Sequence, residues 1–300
     1  MLPKTYLIGY TDINLDGLLS YLKDTGQEAF GDVFEEATKN GISSGQALCS
    51  LYAKLCYKSL VTGKNANITG VRDIESNITG CFDTGHGSVF EHCWLNFITT
   101  DCSRIFTHEL VRHRVGTAFS QTSGRYVALD EIKMVLPPEL QTGEEVTDRL
   151  IQNTISDLGT RTVDSVKYLR ELLIERGDVC PECEGDVQNY IETTVPIPDT
   201  CPECQGVGRV PIKDFTRKKK ITSAIRRFAP NGQVNEIGWS CNIRSLRHML
   251  EMRTSRHAEW EIRVVFNQVS DIIEERFPLM LYGGKCTTVD GLKEWTGLKV

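Results

Sequence analysis

The chain has 300 residues, of which 40% are hydrophobic and 25% charged, and this composition excludes a disordered, collagen-like or coiled-coil protein. Its 34 basic and 40 acidic residues give a net charge of -6, so bulk electrostatic binding of nucleic acid is not expected. No apolar run approaches the ~18 residues of a membrane span, and the N-terminus lacks the features of a signal peptide. We therefore expect a cytoplasmic protein without a membrane partner.

Hydrophobic periodicity predicts short elements at the start of the chain. A strand is expected at Thr5–Gly9, followed by a helix from about Leu18 to Lys23 that is capped by Asn14 or Asp16. A second helix is expected over Ser43–Lys58, because apolar residues recur there at helical spacing.

Longer patterns dominate the rest of the chain. Val89–Thr99 is interpreted as a strand or a buried helix, and Tyr126–Leu136 alternates like a strand. Helical patterns cover Glu144–Arg176, Asp214–Arg227 and Asn242–Phe277. The segment Gly177–Ile212 separates the first two of these helices. We therefore predict one main domain over residues 1–300, with an insertion at residues 177–212.

Four of the eleven cysteines form two identical spacings, Cys180-Pro-Glu-Cys183 and Cys201-Pro-Glu-Cys204. A tight Cys-x-x-Cys turn directs two sulfurs at one ion, and two such turns suit tetrahedral zinc. Four cysteines also close the coordination shell, so a structural zinc is predicted rather than a catalytic one. A redox dithiol pair and a knuckle that no longer binds metal remain open. Nucleic-acid binding is not favoured, because the stretch between the knuckles is acidic and has no lysine or arginine.

A second cluster combines arginine and histidine in Arg112-His113-Arg114, which hydroxyl and amide side chains and Gly124 follow. Guanidinium groups match phosphate bidentately, and glycine lets backbone N–H groups approach an anion. The cluster is therefore a candidate phosphate site, although it is neither a Walker loop nor a dinucleotide-binding fingerprint.

The helical pattern near the C-terminus carries further arginines. Arg244 and His248 would lie about 40° apart on this helix, whereas Arg253 would lie about 180° from Arg244. Two faces of one straight helix cannot line the same pocket, so they would serve two pockets if subunits share their sites. This arrangement predicts an oligomer. Arg247 and Arg256 are interpreted as exposed arginines on a solvated face.

Five motifs follow one another along the chain. They are His86-x-Ser88-x-x-Glu91-His92, Arg112-His113-Arg114 with Ser123-x-Arg125-Tyr126, Ile225-Arg226-x-x-x-Pro230, Asn242-x-Arg244-Ser-Leu-x-His248 with Arg253, and Ala258-x-x-Glu261-Ile-Arg263. In this order the motifs resemble those of the flavin-dependent thymidylate synthases, from about Thr5 to Pro278. The resemblance implies an α+β fold in which an antiparallel sheet packs with long helices. It also implies a homotetramer with active sites at subunit interfaces.

The resemblance implies a reaction and a set of residues. That family methylates dUMP to dTMP with methylenetetrahydrofolate as carbon donor and with FAD and NADPH as reductants. The implied catalytic residue is Arg253, which would polarise the uracil ring. The implied cofactor-binding residues are Ser88, Glu91, Arg112, His113, Arg114, Val115, Asn242, Arg244 and His248. The implied substrate-binding residues are Glu109, Arg112, Gln121, Ser123, Gly124, Arg125, Arg226 and Arg253.

Several features depart from the family pattern. Eight residues rather than seven separate Arg114 from Ser123, Glu109 stands where glutamine is usual, and His248 stands where asparagine is common. The cysteine segment is not part of that pattern. The alternative function is therefore a non-catalytic descendant whose zinc segment binds a partner or nucleic acid.

Overall fold

The computed structural model describes residues 2–124, 131–185 and 201–298. The chain divides into two compact units, the first made of Met1–Gln121 with Asn235–Val300 and the second of Thr122–Val234. The helices are α1 (Leu15–Asp24), α2 (Ala29–Lys39), α3 (Ser44–Cys56), α4 (Ile74–Asp83), α5 (Arg104–Leu110), α6 (Glu145–Arg170), α7 (Phe215–Ile225), α8 (Ile243–Arg253) and α9 (Trp260–Arg276). The strands are β1 (Lys4–Tyr10), β2 (Trp94–Ser103), β3 (Thr117–Gln121), β4 (Asp178–Val179), β5 (Arg209–Val210), β6 (Val234–Asn242), β7 (Lys285–Val289) and β8 (Leu292–Thr296).

The first unit is built around a four-stranded sheet with the order β1-β2-β6-β3. β1 runs antiparallel to β2, and β3 runs antiparallel to β6. Alternate residues of β2 and β6 point into the core, where the rings of Phe97 and Trp239 stack at 4.5 Å and Trp239 meets Phe266 of α9 at 5.8 Å. The expected α+β class with an antiparallel sheet and helices is confirmed.

The second unit contains α6, α7 and, between them along the chain, the two-stranded antiparallel sheet of β4 and β5. Helix α6 continues as a π-helical turn over Glu171–Glu175 before the chain leaves it. Ile212 N then donates to Ile174 O at 2.8 Å. A Cβ at Gly177 would overlap Leu173 O and the Ile212 side chain, so only glycine allows this close return of the chain.

Local signals explain the elements that sequence patterns located. Asn14 caps α1 by accepting from Gly17 N at 3.1 Å, and Ser43 and Gln46 form a capping box at the start of α3. Val89–Thr99 contains a strand, because β2 begins at Trp94. Tyr126–Leu136 lies partly outside the described residues, and its described part makes an isolated bridge at Met134 rather than a strand.

The single helix expected over Asn242–Phe277 is wrong. Asn242 ends β6 and caps α8, and residues 254–259 separate α8 from α9. The side chain of Glu259 starts α9 by accepting from Glu261 N at 2.8 Å and from Ile262 N at 3.3 Å. The apolar spacing continued across this break and concealed it.

The expectation that Arg247 is solvent-exposed is also wrong. Only 2% of Arg247 is exposed, and its guanidinium donates to the carbonyl oxygens of Leu298, Met280 and Tyr282 at 2.9, 2.6 and 3.0 Å. Arg256 is exposed as expected and forms a salt bridge of 2.8 Å with Glu294. A buried arginine saturated by main-chain acceptors is structural, so α8 binds the C-terminal segment through Arg247.

Candidate functional site

A cavity of about 800 Å³ in the first unit, the arginine cavity, collects most of the predicted cofactor-binding residues. It lies where the turn after α5 meets the start of α8. Eight of the nine line it, namely Glu91, Arg112, His113, Arg114, Val115, Asn242, Arg244 and His248. Three of these are arginines and only one is a carboxylate, so the cavity suits an anionic ligand.

The turn Val115–Gly116 packs the arginine-rich segment that follows α5 against the start of α8. Gly116 has a φ of +65°, and a Cβ there would clash with the side chains of Ser245 and Asn242. Ser245 Oγ donates to Val115 O at 2.7 Å, and Asn242 N donates to Gly116 O at 3.0 Å. Glycine is therefore required for the arginine-rich turn to pack against the start of α8.

The first turn of α8 adds a second source of positive potential. Asn242 Oδ1 accepts from Ser245 N at 2.9 Å, which is an N-cap bond. Arg244, one residue into the helix, forms a salt bridge of 2.6 Å with Glu91, and both side chains are about half exposed. A helix N-terminus beside arginine side chains favours phosphate groups.

Arg253 lies at the last residue of α8 and is held by two neighbours. Its Nε donates to His113 Nε2 at 2.7 Å, its Nη1 forms an ion pair with Glu109 Oε2, and its Nη2 donates to Glu109 O at 3.1 Å. Only 11% of the Arg253 side chain is exposed. Arg253 does not line the arginine cavity but contacts it through His113.

His113 has the most unusual protonation behaviour in the arginine cavity. Burial, followed by the nearby charges of Arg253, His248 and Arg112, lowers its pKa to about 4. The rings of His113 and His248 meet edge to face at a centroid distance of 6.1 Å. His113 is therefore neutral near pH 7 and hydrogen-bonds as an uncharged ring.

Ser88, the ninth predicted cofactor residue, lines a different cavity of about 400 Å³, here called the lysine cavity. Lys54, Arg72 and His86 contribute to its wall, and none of the described residues that line it carries a carboxylate. Lys54 is 1% exposed, its Nζ donates to Arg72 O, and burial lowers its pKa. Tyr57 Oη and His86 Nε2 lie 3.2 Å apart at the wall.

The remaining predicted substrate residues are distributed along the chain. Gln121 lies at the end of β3, where its Nε2 donates to Thr107 Oγ1 at 3.1 Å. Ser123, Gly124 and Arg226 belong to the second unit, and Arg226 begins a short 3₁₀ turn after α7. Arg125 lies outside the described residues.

The four predicted metal ligands converge in the second unit. The sulfur atoms of Cys180, Cys183, Cys201 and Cys204 all lie within 4.8 Å of one another. Two of the separations, Cys180–Cys201 and Cys183–Cys204, are 3.7 Å. Four sulfurs bound tetrahedrally at about 2.3 Å from zinc would lie about 3.8 Å apart, so the donor set fits this ion.

The two cysteine loops share one backbone geometry. Each reads Cys-Pro-Glu-Cys-x-Gly, and the last two residues of each, Glu184–Gly185 and Gln205–Gly206, all have positive φ angles. Gly208 N donates to Cys204 Sγ at 3.2 Å. The glycine two residues after the second cysteine of each pair is a further sequence signal for this loop geometry, in addition to the cysteine spacing.

Sequence analysis indicated no contact for Lys54 or for Glu261, although Glu261 belongs to the fifth motif. Glu261 is 2% exposed, and its carboxylate accepts from Ser103 N at 2.6 Å and from Ser103 Oγ. Ser103 in turn caps α5, because its Oγ accepts from Phe106 N at 3.1 Å. Burial raises the pKa of Glu261. A helix position next to apolar residues was the only available signal for this contact.

Among the described residues, no helix is both long and apolar enough to cross a membrane.

The profile of the family described as "Thymidylate synthase complementing protein" matches residues 40–279. Three similar proteins are each named flavin-dependent thymidylate synthase. The proteins of Mycobacterium leprae (strain Br4923) and Mycobacteroides abscessus are each 29% identical over 219 residues, covering 73% of this chain and 72% and 71% of theirs. The protein of Clostridium tetani is 27% identical over 233 residues, covering 77% of this chain and 79% of its own.

Proposed function

The chain belongs to the thymidylate synthase complementing family, the flavin-dependent thymidylate synthases, and from this premise we propose that it methylates dUMP to dTMP. Methylenetetrahydrofolate would supply the carbon, and FAD with NADPH would supply the reducing equivalents. The observation that carries the proposal is the convergence of eight family-implied cofactor residues on the arginine cavity. That convergence follows from the fold and joins segments more than a hundred residues apart.

The arginine cavity fits FAD in its chemistry. The pyrophosphate of FAD needs cationic and N–H donors, and Arg112, Arg114, Arg244 and the N-terminus of α8 offer them. When bound, the flavin ring supplies hydride transfer, which no amino-acid side chain can provide. The protein's own contribution is to hold the flavin beside the neutral ring of His113.

Arg253 has the chemistry required of a catalytic arginine toward uracil. Carbon-5 of uracil reacts as a nucleophile, and activating it places negative charge on the ring carbonyls and nitrogen. A guanidinium fixed by Glu109 and His113 can stabilise this charge without reorganising. Gln121, Ser123, Gly124, Arg125 and Arg226, with Glu109 and Arg112, complete the proposed dUMP-binding set.

The lysine cavity is the proposed folate site. Folate carries an aromatic pteridine and a carboxylate-bearing tail, and this cavity combines apolar walls with Lys54, Arg72 and His86. The absence of carboxylates from its wall favours an anionic ligand. Ser88 and Glu91 belong to one 3₁₀ turn, Gly87–Glu91, and line the lysine and arginine cavities respectively. The turn therefore links the proposed carbon-donor and flavin sites.

The cysteine cluster is the proposed site of a structural zinc ion. Its four thiol ligands close a tetrahedral shell and leave no position for water or substrate. Zinc would stabilise the insertion at residues 177–212 within a catalytic chain of residues 1–300. The assembly proposed from family membership is a homotetramer.

The test is the visible absorption spectrum of the protein purified without added cofactor. A flavin spectrum that bleaches with NADPH and returns in air, followed by dTMP formation from dUMP and methylenetetrahydrofolate, is the expected result. A colourless protein that does not take up added FAD would overturn the proposal. Salt-sensitive nucleic-acid binding by such a protein would instead support the non-catalytic alternative.

A further inference from the structure

Glu109, Arg253 and His113 form a continuous chain of hydrogen bonds. Glu109 contacts the Arg253 guanidinium twice, through Oε2 at Nη1 and through its main-chain oxygen at Nη2. The third nitrogen of Arg253, Nε, donates to His113 Nε2 at 2.7 Å. All three guanidinium nitrogens are thus in use, which fixes the plane of the group and the direction of its Nε–H bond.

The contact with Arg253 determines where His113 carries its proton. An arginine has only donors, so His113 Nε2 must be the acceptor and can carry no proton. The charged and titratable groups that face the ring are Arg253, His248 and Arg112, and Glu109 approaches it only through Arg253. Burial of the ring, followed by the charge of Arg253, favours its neutral form. A neutral imidazole without a proton on Nε2 has its proton on Nδ1.

We propose that Glu109 is a positioning residue, which acts through Arg253 to hold His113 in the Nδ1–H tautomer. His113 lines the arginine cavity, and Nδ1–H is the hydrogen-bond donor that its ring would keep for a ligand. An acceptor atom of a heteroaromatic ring, such as a carbonyl oxygen or an unprotonated nitrogen, is the chemistry that this donor recognises. The inference rests on the proposed function only for the statement that this ring belongs to the flavin or the pyrimidine.

The anchoring of α5 explains why Glu109 can set this direction. Ser103 N and Oγ both donate to the buried carboxylate of Glu261, which ties the start of α5 to α9. Glu109 lies near the other end of this seven-residue helix. Its carboxylate and carbonyl are therefore presented to Arg253 from a backbone that is held at its start, rather than from a free loop.

The chain offers a matched pair of substitutions. Glu109→Gln keeps an oxygen at the position of Oε2 that accepts from Arg253 Nη1, and so it retains the hydrogen bond without the charge. Glu109→Ala removes both. A purely electrostatic role for Glu109 would affect both variants alike, because both lose the charge. An orienting hydrogen bond separates them, and the protonated ring nitrogen of His113 is a readout that a merely structural role would not move.

The experiment is nitrogen-15 NMR of histidine-labelled, ligand-free protein between pH 4 and 8. Long-range proton–nitrogen correlations report which ring nitrogen is protonated, and His113→Gln assigns the signal among the six histidines. We expect wild type and Glu109→Gln to show the Nδ1–H tautomer with a low pKa. In Glu109→Ala we expect mixed tautomers and a pKa raised by about one unit toward its ordinary value, because Arg253 keeps only the main-chain contact with residue 109 and is held less firmly against Nε2.

Two results would overturn the inference: an Nε2–H tautomer in wild type, or a His113 signal in Glu109→Ala that matches wild type. If the alanine chain does not fold, Glu109→Asp replaces it, because aspartate withdraws the carboxylate by one methylene and is expected to give the same mixture. The measurement needs no flavin. Failure of FAD binding would therefore overturn the proposed function and leave the tautomer result standing, and the reverse also holds.

Discussion

The arginine cavity and the cysteine cluster are held together by different means. At the arginine cavity, two arginines of α8 are already paired within the protein: Arg244 at the wall with Glu91, and Arg253 beside the wall with Glu109. In the cysteine cluster, the buried neighbours are the four cysteines and Val210, and the four sulfurs approach a common point without a bond between them. The cavity is thus organised by the protein before a ligand binds, whereas the cluster depends on the ion that we propose for it.

The largest expected effect is removal of this ion. Cys201→Ser deletes one ligand, and a structural zinc site contributes an apparent binding free energy of about 10–16 kcal/mol. We expect zinc content to fall from one ion per chain to a small fraction of that, and residues 177–185 and 201–212 to lose protection against hydrogen exchange. Metal analysis and exchange mass spectrometry measure both. Cys286→Ser is the matched control, because Cys286 is an exposed thiol outside the cluster. If the zinc-free chain kept its protection against hydrogen exchange, the cysteine cluster would not depend on the ion, and the contrast with the arginine cavity would fail.

The second effect concerns catalysis at the arginine cavity. Arg253→Ala is expected to lower kcat for dTMP formation by about 10²–10³-fold, which is the typical loss when one preorganised donor is removed. Flavin absorbance should remain, since Arg253 does not line the arginine cavity. Arg256→Ala, which removes an exposed arginine three residues later, serves as the control and should stay near wild type. Equal loss of flavin and activity in Arg253→Ala would show that this residue has been misplaced.

The third effect is the pH dependence of stability contributed by His113. Its pKa is lowered from 6.5 to about 4 in the folded chain, so the unfolded chain takes up this proton first as the pH falls. The contribution is present above pH 6.5 and is lost between pH 6.5 and 4, by less than about 3 kcal/mol after allowing for solvent screening of a partly exposed ring. Urea unfolding at several pH values should show a weaker decline in His113→Gln. His257→Gln, at an exposed histidine, is the control. If the free energy of unfolding declined identically with pH in both variants, the prediction would be contradicted.

The smallest effect is expected at the ion pair between Glu91 and Arg244. Both side chains are about half exposed, so Glu91→Gln should change the free energy of unfolding by less than about 1 kcal/mol. Glu261→Gln is the buried comparison and should cost about 1–3 kcal/mol, because Ser103 loses a charged acceptor. Urea titration at pH 7 compares them. A reversed order would mean that the exposed pair of Glu91 and Arg244 contributes more to stability than the buried contact of Glu261 with Ser103.

Sequence patterns located the ligand-type residues better than they located the elements that carry them. Within each motif the ligand-type residues are neighbours along the chain, so spacing indicates which side chains lie together, whereas the meeting of distant motifs depends on the fold. Strands β3 and β6 escaped prediction, because β3 is five residues long and β6 runs directly into the cap of α8. The helix break after Arg253 was hidden by apolar residues that continue at helical spacing on both sides.

Contacts between distant residues could not be read from spacing. Arg247 looked like part of a solvated basic face, but its main-chain acceptors lie 33 to 51 residues away. Glu109 remains a predicted substrate residue, and its spacing gave no sign that its carboxylate pairs with Arg253, which is 144 residues away. Such pairings depend on the packing of α5 against neighbouring segments, which a one-dimensional pattern does not contain.

The repeated cysteine loops affect how well this chain tolerates insertions and deletions between them. An ion held by both loops fixes the two ends of the seventeen-residue segment between Cys183 and Cys201. The entropy of closing such a segment grows only logarithmically with its length, so doubling it costs about 0.6 kcal/mol. With both ends held by the proposed ion, insertions and deletions between the loops are expected to have little thermodynamic penalty. A metal-clasped junction of this kind would give selection a place to add sequence between α6 and α7 while the surrounding chain keeps its register.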